Sequence, residues 1–413
     1  MRLTERGACG SLNRSIGVEL PMSRVGKLVD ATREFVKDEV LAFDDEYDGD
    51  VDAAGGEGLR VRLQAAARAA GLLSPHGPVE YGGLGLTMSE RAPVFEEAGY
   101  SLFGPMALNA NAPDEGNVHL LDHVASAGQR ERYLKPLVTG EQRSAFAMTE
   151  PSPGAGADPA ALTTRATRVA DGWQISGRKY FITGADGAAF FIVMARTSGE
   201  PGDAAGATMF LAPGDADGIE VVRHIETMDR SMLGGHCELA FTGLFVPDED
   251  VLGEVDEGFR YSQVRLGPAR MTHVMRWTGA ARRAHETAVR YAADRQMFGS
   301  RLADLGMAQQ LIADNEIDLA ATRALLMRAC AELDEGRRAS KATSIAKTFA
   351  AEALHRVTDR ATQLCGGLGV SRDLPVAKIA RELRPFRIYD GPSEVHRWSI
   401  ARRAVRELGG DAG

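Results

Sequence analysis

The sequence is short of the residues that mark the simplest functional classes. Cysteine occurs four times in 413 residues, at Cys9, Cys237, Cys330 and Cys365, with no CxxC pair. That scatter argues against a disulfide framework or a zinc site and points to reduced thiols in a cytoplasmic protein; no metal is expected. No apolar run approaches the ~20 residues that cross a bilayer, and the opening MRLTERGACGSLNRSIG lacks the apolar centre of a secretion signal. Basic charge is also in deficit. A formal net charge of −9 is the wrong sign for a nucleic-acid binder, whose affinity comes from neutralising phosphates. Nucleotide motifs are missing as well. No GxxxxGK[ST] occurs, and Gly82-Gly83-Leu84-Gly85 and Gly154-Ala155-Gly156 lack the strand, helix and distal acid of a dinucleotide fingerprint. On spacing alone both are turns.

What is present is an ordinary globular composition, 44% hydrophobic and 25% charged, on a chain long enough for two or three packed layers. Residues 1–20 read as a loose tail. Apolar positions recur at helical spacing over 22–41, 59–72, 88–100, 119–127 and 129–140. Alternation then takes over at 163–169 and 173–183 around an Asp171-Gly172 turn, with further strand-like runs at 190–195, 208–212, 220–222 and 238–245. The helical period returns over 270–293, 303–334, 339–365 and 394–408. The predicted class is α+β: an N-terminal all-α domain (21–145), a middle antiparallel β domain (146–255) and a C-terminal helical bundle (256–408), with a short tail at 409–413.

Four segments in register resemble the acyl-CoA dehydrogenase family. Phe146-Ala147-Met148-Thr149-Glu150-Pro151, followed by Gly154-Ala155-Gly156-Ala157-Asp158, is similar to the family's Thr-Glu-Pro…Gly-Ala-Gly-Ser-Asp stretch, with Ser152 and Pro153 inserted and Ala157 in place of serine. Lys179-Tyr180-Phe181-Ile182-Thr183 resembles K-x-Trp-Ile-Thr, with Phe181 for tryptophan. Arg295-Gln296-Met297-Phe298-Gly299 and Gln363-Leu364-Cys365-Gly366-Gly367-Leu368-Gly369 look like R-x-x-F-G and Q-x-x-G-G-x-G. Ile388-Tyr389-Asp390-Gly391-Pro392-Ser393-Glu394 matches I-Y-Glu-G-T-x-Q, with aspartate at the position of the family's catalytic glutamate. The stretch 111–117, Gly235-His236-Cys237-Glu238 and 265–270 look closest to the branch that also carries Asp-Gly-Pro there.

The resemblance implies an FAD enzyme that desaturates an acyl-CoA thioester and passes electrons to an electron-transfer flavoprotein. Asp390 is then the base that takes the α-proton, and its backbone N–H is a donor to the thioester oxygen. The implied flavin contacts are Phe146, Met148, Thr149, Gly154, Ala155, Gly156, Phe181, Ile182 and Thr183. A neighbouring subunit would add Arg295, Met297, Phe298, Gln363, Gly366 and Gly367, which makes a homodimer or homotetramer; Pro392 and Glu394 lie towards the adenosine. Ala157, Arg270 and Gly391 are the implied substrate contacts. Ala269 stands where a related branch keeps its acid, so Asp390 has no substitute. A carboxylate against an apolar flavin face is expected to have a raised pKa. His273 and Arg276 share a helix face with Arg270, and read as satisfied polar groups rather than contacts to a polar acyl group. The alternative on the same fold is a flavin oxidase of the nitroalkane type, or a monooxygenase.

Overall fold

The computed structural model describes residues 23–409; the expected N-terminal tail, Cys9 and most of the C-terminal tail lie outside them. Helix α1 (Arg24–Phe35) runs through a π turn (Val36–Val40) into α2 (Leu41–Glu46), and α3 (Gly56–Ala69), α4 (Met88–Ala98) and α5 (Gly104–Ala107) follow. Thr87 and Glu90 close a capping box at the start of α4, which satisfies backbone donors the first turn cannot use. Next come α6 (Asp114–Val124), α7 (Ala127–Gln129) and α8 (Lys135–Val138), with a second π turn between the last two. Helix α6 begins five residues before the expected 119, because Asp114-Glu115-Gly116-Asn117 reads as loop yet is buried.

The middle segment is one sheet of eight strands: β1 (Ser144–Ala147), β2 (Arg165–Val169), β3 (Gly172–Thr183), β4 (Phe190–Arg196), β5 (Ala207–Pro213), β6 (Ile219–His224), β7 (His236–Pro247) and β8 (Val251–Leu252). Their order is β6-β7-β3-β2-β4-β5-β8, with β1 on β4. The sheet is antiparallel as expected, save that β1 lies parallel to β4 and β2 meets β4 in a single parallel pair. The short Ser-Ala-Phe-Ala strand carried no alternation to reveal it. Every residue of β4 is buried, since α6–α8 cover one face of the sheet with Leu120, Leu134 and Leu137. That explains its unbroken apolar run.

The C-terminal part opens with α9 (Gly258–Asp294), a 37-residue helix containing Pro268. It starts well before the expected 270. Gly267-Pro268 reads as a helix break, but the helix is buried on almost all sides there, and packing overrides propensity. A two-strand hairpin, β9 (Gln296–Met297) and β10 (Ser300–Arg301), leads to α10 (Gly306–Asp334), α11 (Ser340–Cys365), α12 (Val376–Leu383) and α13 (Ser393–Gly409). One apolar core joins residues of the first helices to those of α9, α10 and α11, so α9 is a central post. Its charged side chains are matched from outside: Arg283 pairs with Asp44 and Asp45, and Arg282 with Glu97. No helix among the described residues is long and apolar enough to cross a membrane.

Candidate active site

Asp390 sits in the turn between a 3-10 segment (Arg384–Arg387) and α13, with φ +53°, a left-handed conformation that aspartate tolerates better than most residues. Three helices clamp this turn. Arg270 Nε of α9 donates to the Asp390 carbonyl at 2.9 Å. His396 Nε2 of α13 reaches the same oxygen at 3.1 Å; a carbonyl only accepts, so this nitrogen carries the proton. Lys347 Nζ of α11 donates to the Gly391 carbonyl at 2.7 Å. The N–H of Asp390 makes no backbone hydrogen bond among the described residues.

The carboxylate points into charged surroundings. His273 Nε2 lies 3.3 Å from Oδ2, short of hydrogen-bond geometry, and this buried oxygen has no hydrogen-bond partner among the described residues. The side chain as a whole keeps 19% exposure. Arg265 donates to Asn117 Oδ1 (2.7 Å) and the Pro113 carbonyl (3.2 Å), with its guanidinium 4.2 Å from the centre of the Phe146 ring. Arg265 thus touches the first flavin-like motif while its charge acts on Asp390. Burial opposes ionisation of Asp390, but His273, Arg265 and Arg270 outweigh it and hold the carboxyl below its ordinary range. The expected upward shift is therefore reversed. The reason is the N–H of His273 and the guanidinium charges of Arg265 and Arg270, all carried by α9.

The first motif loop is organised by a buried ion pair. Glu150 Oε1 accepts from Lys179 Nζ at 2.9 Å and from the Thr164 N–H. Its Oε2 accepts from the Thr163 N–H, the Thr163 hydroxyl and the Ala155 N–H. Lys179 also donates to the Met148 carbonyl. Three of the implied flavin contacts also have tasks within the protein. The Ala155 N–H is already engaged by Glu150. A Cβ on Gly154 would fall 2.3 Å from Glu150 Oε2, so that glycine serves the loop's own packing. The Ile182 side chain is buried in the sheet core. Phe146, Met148 and Thr149 are partly exposed, and Gly156 and Ala157 are open to solvent.

On β3 the register against β7 slips between Lys179 and Ile182. This bulge puts Phe181 at φ +55° and turns its ring outward, 48% exposed. Beside it the Thr183 hydroxyl meets His236 Nδ1, whose Nε2 meets Asp229, both at 2.9 Å. Arg295, Phe298, Gln363, Gly366 and Gly367 all face solvent. Phe298 is 94% exposed, and a Cβ on Gly366 or Gly367 would meet nothing within 4 Å. Met297 is partly covered and Pro392 half-buried, while Glu394 is exposed.

Three family models match the chain in succession: the acyl-CoA dehydrogenase N-terminal domain over 26–141, the middle domain over 145–244 and the C-terminal domain over 256–405. The chain belongs to the acyl-CoA dehydrogenase family. The probable acyl-CoA dehydrogenase FadE2 of Mycobacterium tuberculosis is 38% identical over 323 residues, 77% of this chain and 79% of that protein. Acyl-CoA dehydrogenase family member 11 of Gallus gallus is 32% identical over 83% of this chain, but the chain spans only 44% of that longer protein. The butyryl-CoA dehydrogenase structure from Megasphaera elsdenii superposes with a TM-score of 0.83 at 26% identity, covering 94% of this chain and all of that one. This is an FAD-dependent oxidoreductase for acyl-CoA-like substrates.

In this acyl-CoA dehydrogenase, Arg270 and Gly391 have structural tasks beyond the substrate contacts expected of them: the first holds the Asp390 carbonyl, and the carbonyl of the second is held by Lys347. Lys347, His396 and the Glu150–Lys179 pair had no assigned part in the site. Lys179 and Glu150 stand in the quoted motifs and could have been found as a complementary pair. Lys347 offered no signal, being one lysine in an Ala-rich helix.

Proposed function

We propose that the enzyme desaturates an acyl-CoA thioester between its α and β carbons, with Asp390 taking the α-proton. The observation that carries this reading is the largely buried carboxylate of Asp390, facing Arg265, Arg270 and His273 on a turn clamped by three helices. The adjoining N–H of Asp390, which has no backbone partner among the described residues, suits the thioester oxygen, where negative charge develops as the proton leaves. The positive surroundings keep Asp390 ionised and ready to accept.

The residues present fit the cofactor. Phe146, Met148, Thr149, Gly156, Phe181 and Thr183 offer an apolar surface and a hydroxyl on one chain. The unfilled space at Gly366 and Gly367 and the bare Arg295, Gln363 and Phe298 suit a diphosphate and an aromatic system shared with a neighbouring copy, with Met297, Pro392 and Glu394 close by in sequence. FAD held by these residues would supply the acceptor for the β-hydride, with an electron-transfer flavoprotein as the electron partner.

The test is anaerobic titration of the purified enzyme with short, medium, long, branched and hydroxylated acyl-CoAs, following flavin bleaching. Asp390→Asn should retain FAD and lose bleaching by at least ~100-fold. Turnover that survives this change removes Asp390 from the chemistry. Rapid re-oxidation of the bleached flavin when oxygen is admitted, with oxygen uptake during turnover, would instead mark the oxidase or monooxygenase reading.

A further inference from the structure

We propose that His273, fixed in one tautomer by Arg276, is a positioning residue that holds one oxygen of Asp390 and leaves the other to meet the substrate proton. The inference rests on Asp390 being the base. Arg276 Nη2 lies 2.9 Å from His273 Nδ1, and a guanidinium has no lone pair to offer. Nδ1 must therefore accept, and the imidazole proton sits on Nε2, the nitrogen 3.3 Å from Asp390 Oδ2. Arg276 is itself anchored by the Ala110 carbonyl at 2.6 Å and by Glu115 at 3.3 Å. The ring is packed against Tyr389 and Phe386, with centroids 4.8 and 6.0 Å away. Each neighbour thus restrains His273 in a way that aims one N–H at the carboxylate.

Two consequences follow from this geometry. A second proton on Nδ1 would face Arg276, so His273 stays neutral and does not relay protons; burial and Arg276 both push its pKa down. Contacts just outside hydrogen-bond geometry in a free enzyme often tighten once substrate is bound. Aspartate is one methylene shorter than the glutamate usual in the family, and an N–H on Oδ2 is a means of steering so short a side chain.

Other charged groups face the turn. Arg265 and Arg270 come from α9, Lys347 from α11, and Glu394 and His396 from α13, while Asp114 and Glu115 of α6 act on Arg265. Burial pushes Lys347 down to about 8 and His396 down to about 4. Both stay in place when only position 273 is changed.

The experiment compares His273→Ala with His273→Gln in the FAD-loaded enzyme. Glutamine can accept from Arg276 through its carbonyl and donate to Asp390 through its amide. His273→Ala should slow flavin reduction by about 10-fold with little change in KM, and move the acid limb of the rate profile up by about one pH unit. His273→Gln should recover most of both. Nitrogen-15 spectra of the imidazole should show the Nε2–H tautomer, with any titration displaced below the ordinary imidazole range. An alanine variant with an unmoved acid limb, a glutamine variant no better than alanine, or an imidazole that titrates near neutrality overturns the proposal. If Asp390→Asn abolishes reduction while His273→Ala is normal, only this proposal falls. If Asp390→Asn remains active, the base assignment itself falls.

Discussion

At the scale of single residues, the turn that carries Asp390 is as important as the carboxylate. Gly391 has φ +95°, and a Cβ there would lie 2.7 Å from His396 Nε2. An L-residue is strained in such a conformation by about 1–3 kcal/mol, and the clash would push His396 off the Asp390 carbonyl. Gly391→Ala should therefore keep its FAD yet reduce flavin at least about 10-fold more slowly, as judged by single-turnover rates against flavin content. Asp390 itself was legible, because its motif is local. Its electrostatics were not, because Arg265, Arg270 and His273 precede it by more than a hundred positions and meet it only once α9 is in place. His273 was read as a satisfied polar group. It is buried and bonded, but to an arginine, and its other nitrogen faces the carboxylate.

At the scale of elements, the loop between β1 and β2 depends on the Glu150–Lys179 pair, whose side chains are 1% and 0% exposed. Lys179→Met would leave a buried carboxylate without its charge partner, a loss of about 3–5 kcal/mol, measurable from the denaturant midpoint. The pair also gives stability a pH dependence. Burial opposes ionisation of Glu150, but Lys179 and the threonine donors pull its pKa down to about 2. A carboxyl depressed in the folded state stabilises above its unfolded value, and that contribution drains away as pH falls from about 4.5 towards 2. The double variant Glu150→Gln, Lys179→Met should lose this acid-sensitive component in thermal melts. Strands such as β3 and β7 were legible from alternation and a turn dipeptide. The first turns of α6 and α9 were not, since polar residues, Gly267 and Pro268 are carried there by tertiary burial.

At the scale of the whole molecule, the order of helices, sheet and helices was readable from changes of period, but the outer surface was not. Phe298, Leu408, Met307, Val370, Val405 and Trp398 are all more than half exposed, and nothing in their local sequence distinguishes them from core residues. Isolated apolar residues at a surface are common; so many on the C-terminal part suit association with further copies. The enzyme is expected to sediment above the mass of one chain, and Phe298→Asp should shed flavin on dilution, seen as free FAD fluorescence. The loop of the Glu150 pair bears on how that flavin can return. The carboxylate and ammonium of that pair are satisfied within the polypeptide, so this part of the loop is set before any ligand arrives. Stripping and reloading should then be reversible, and calorimetry of reloading should show a small heat-capacity change, unlike that of a segment that folds around its guest.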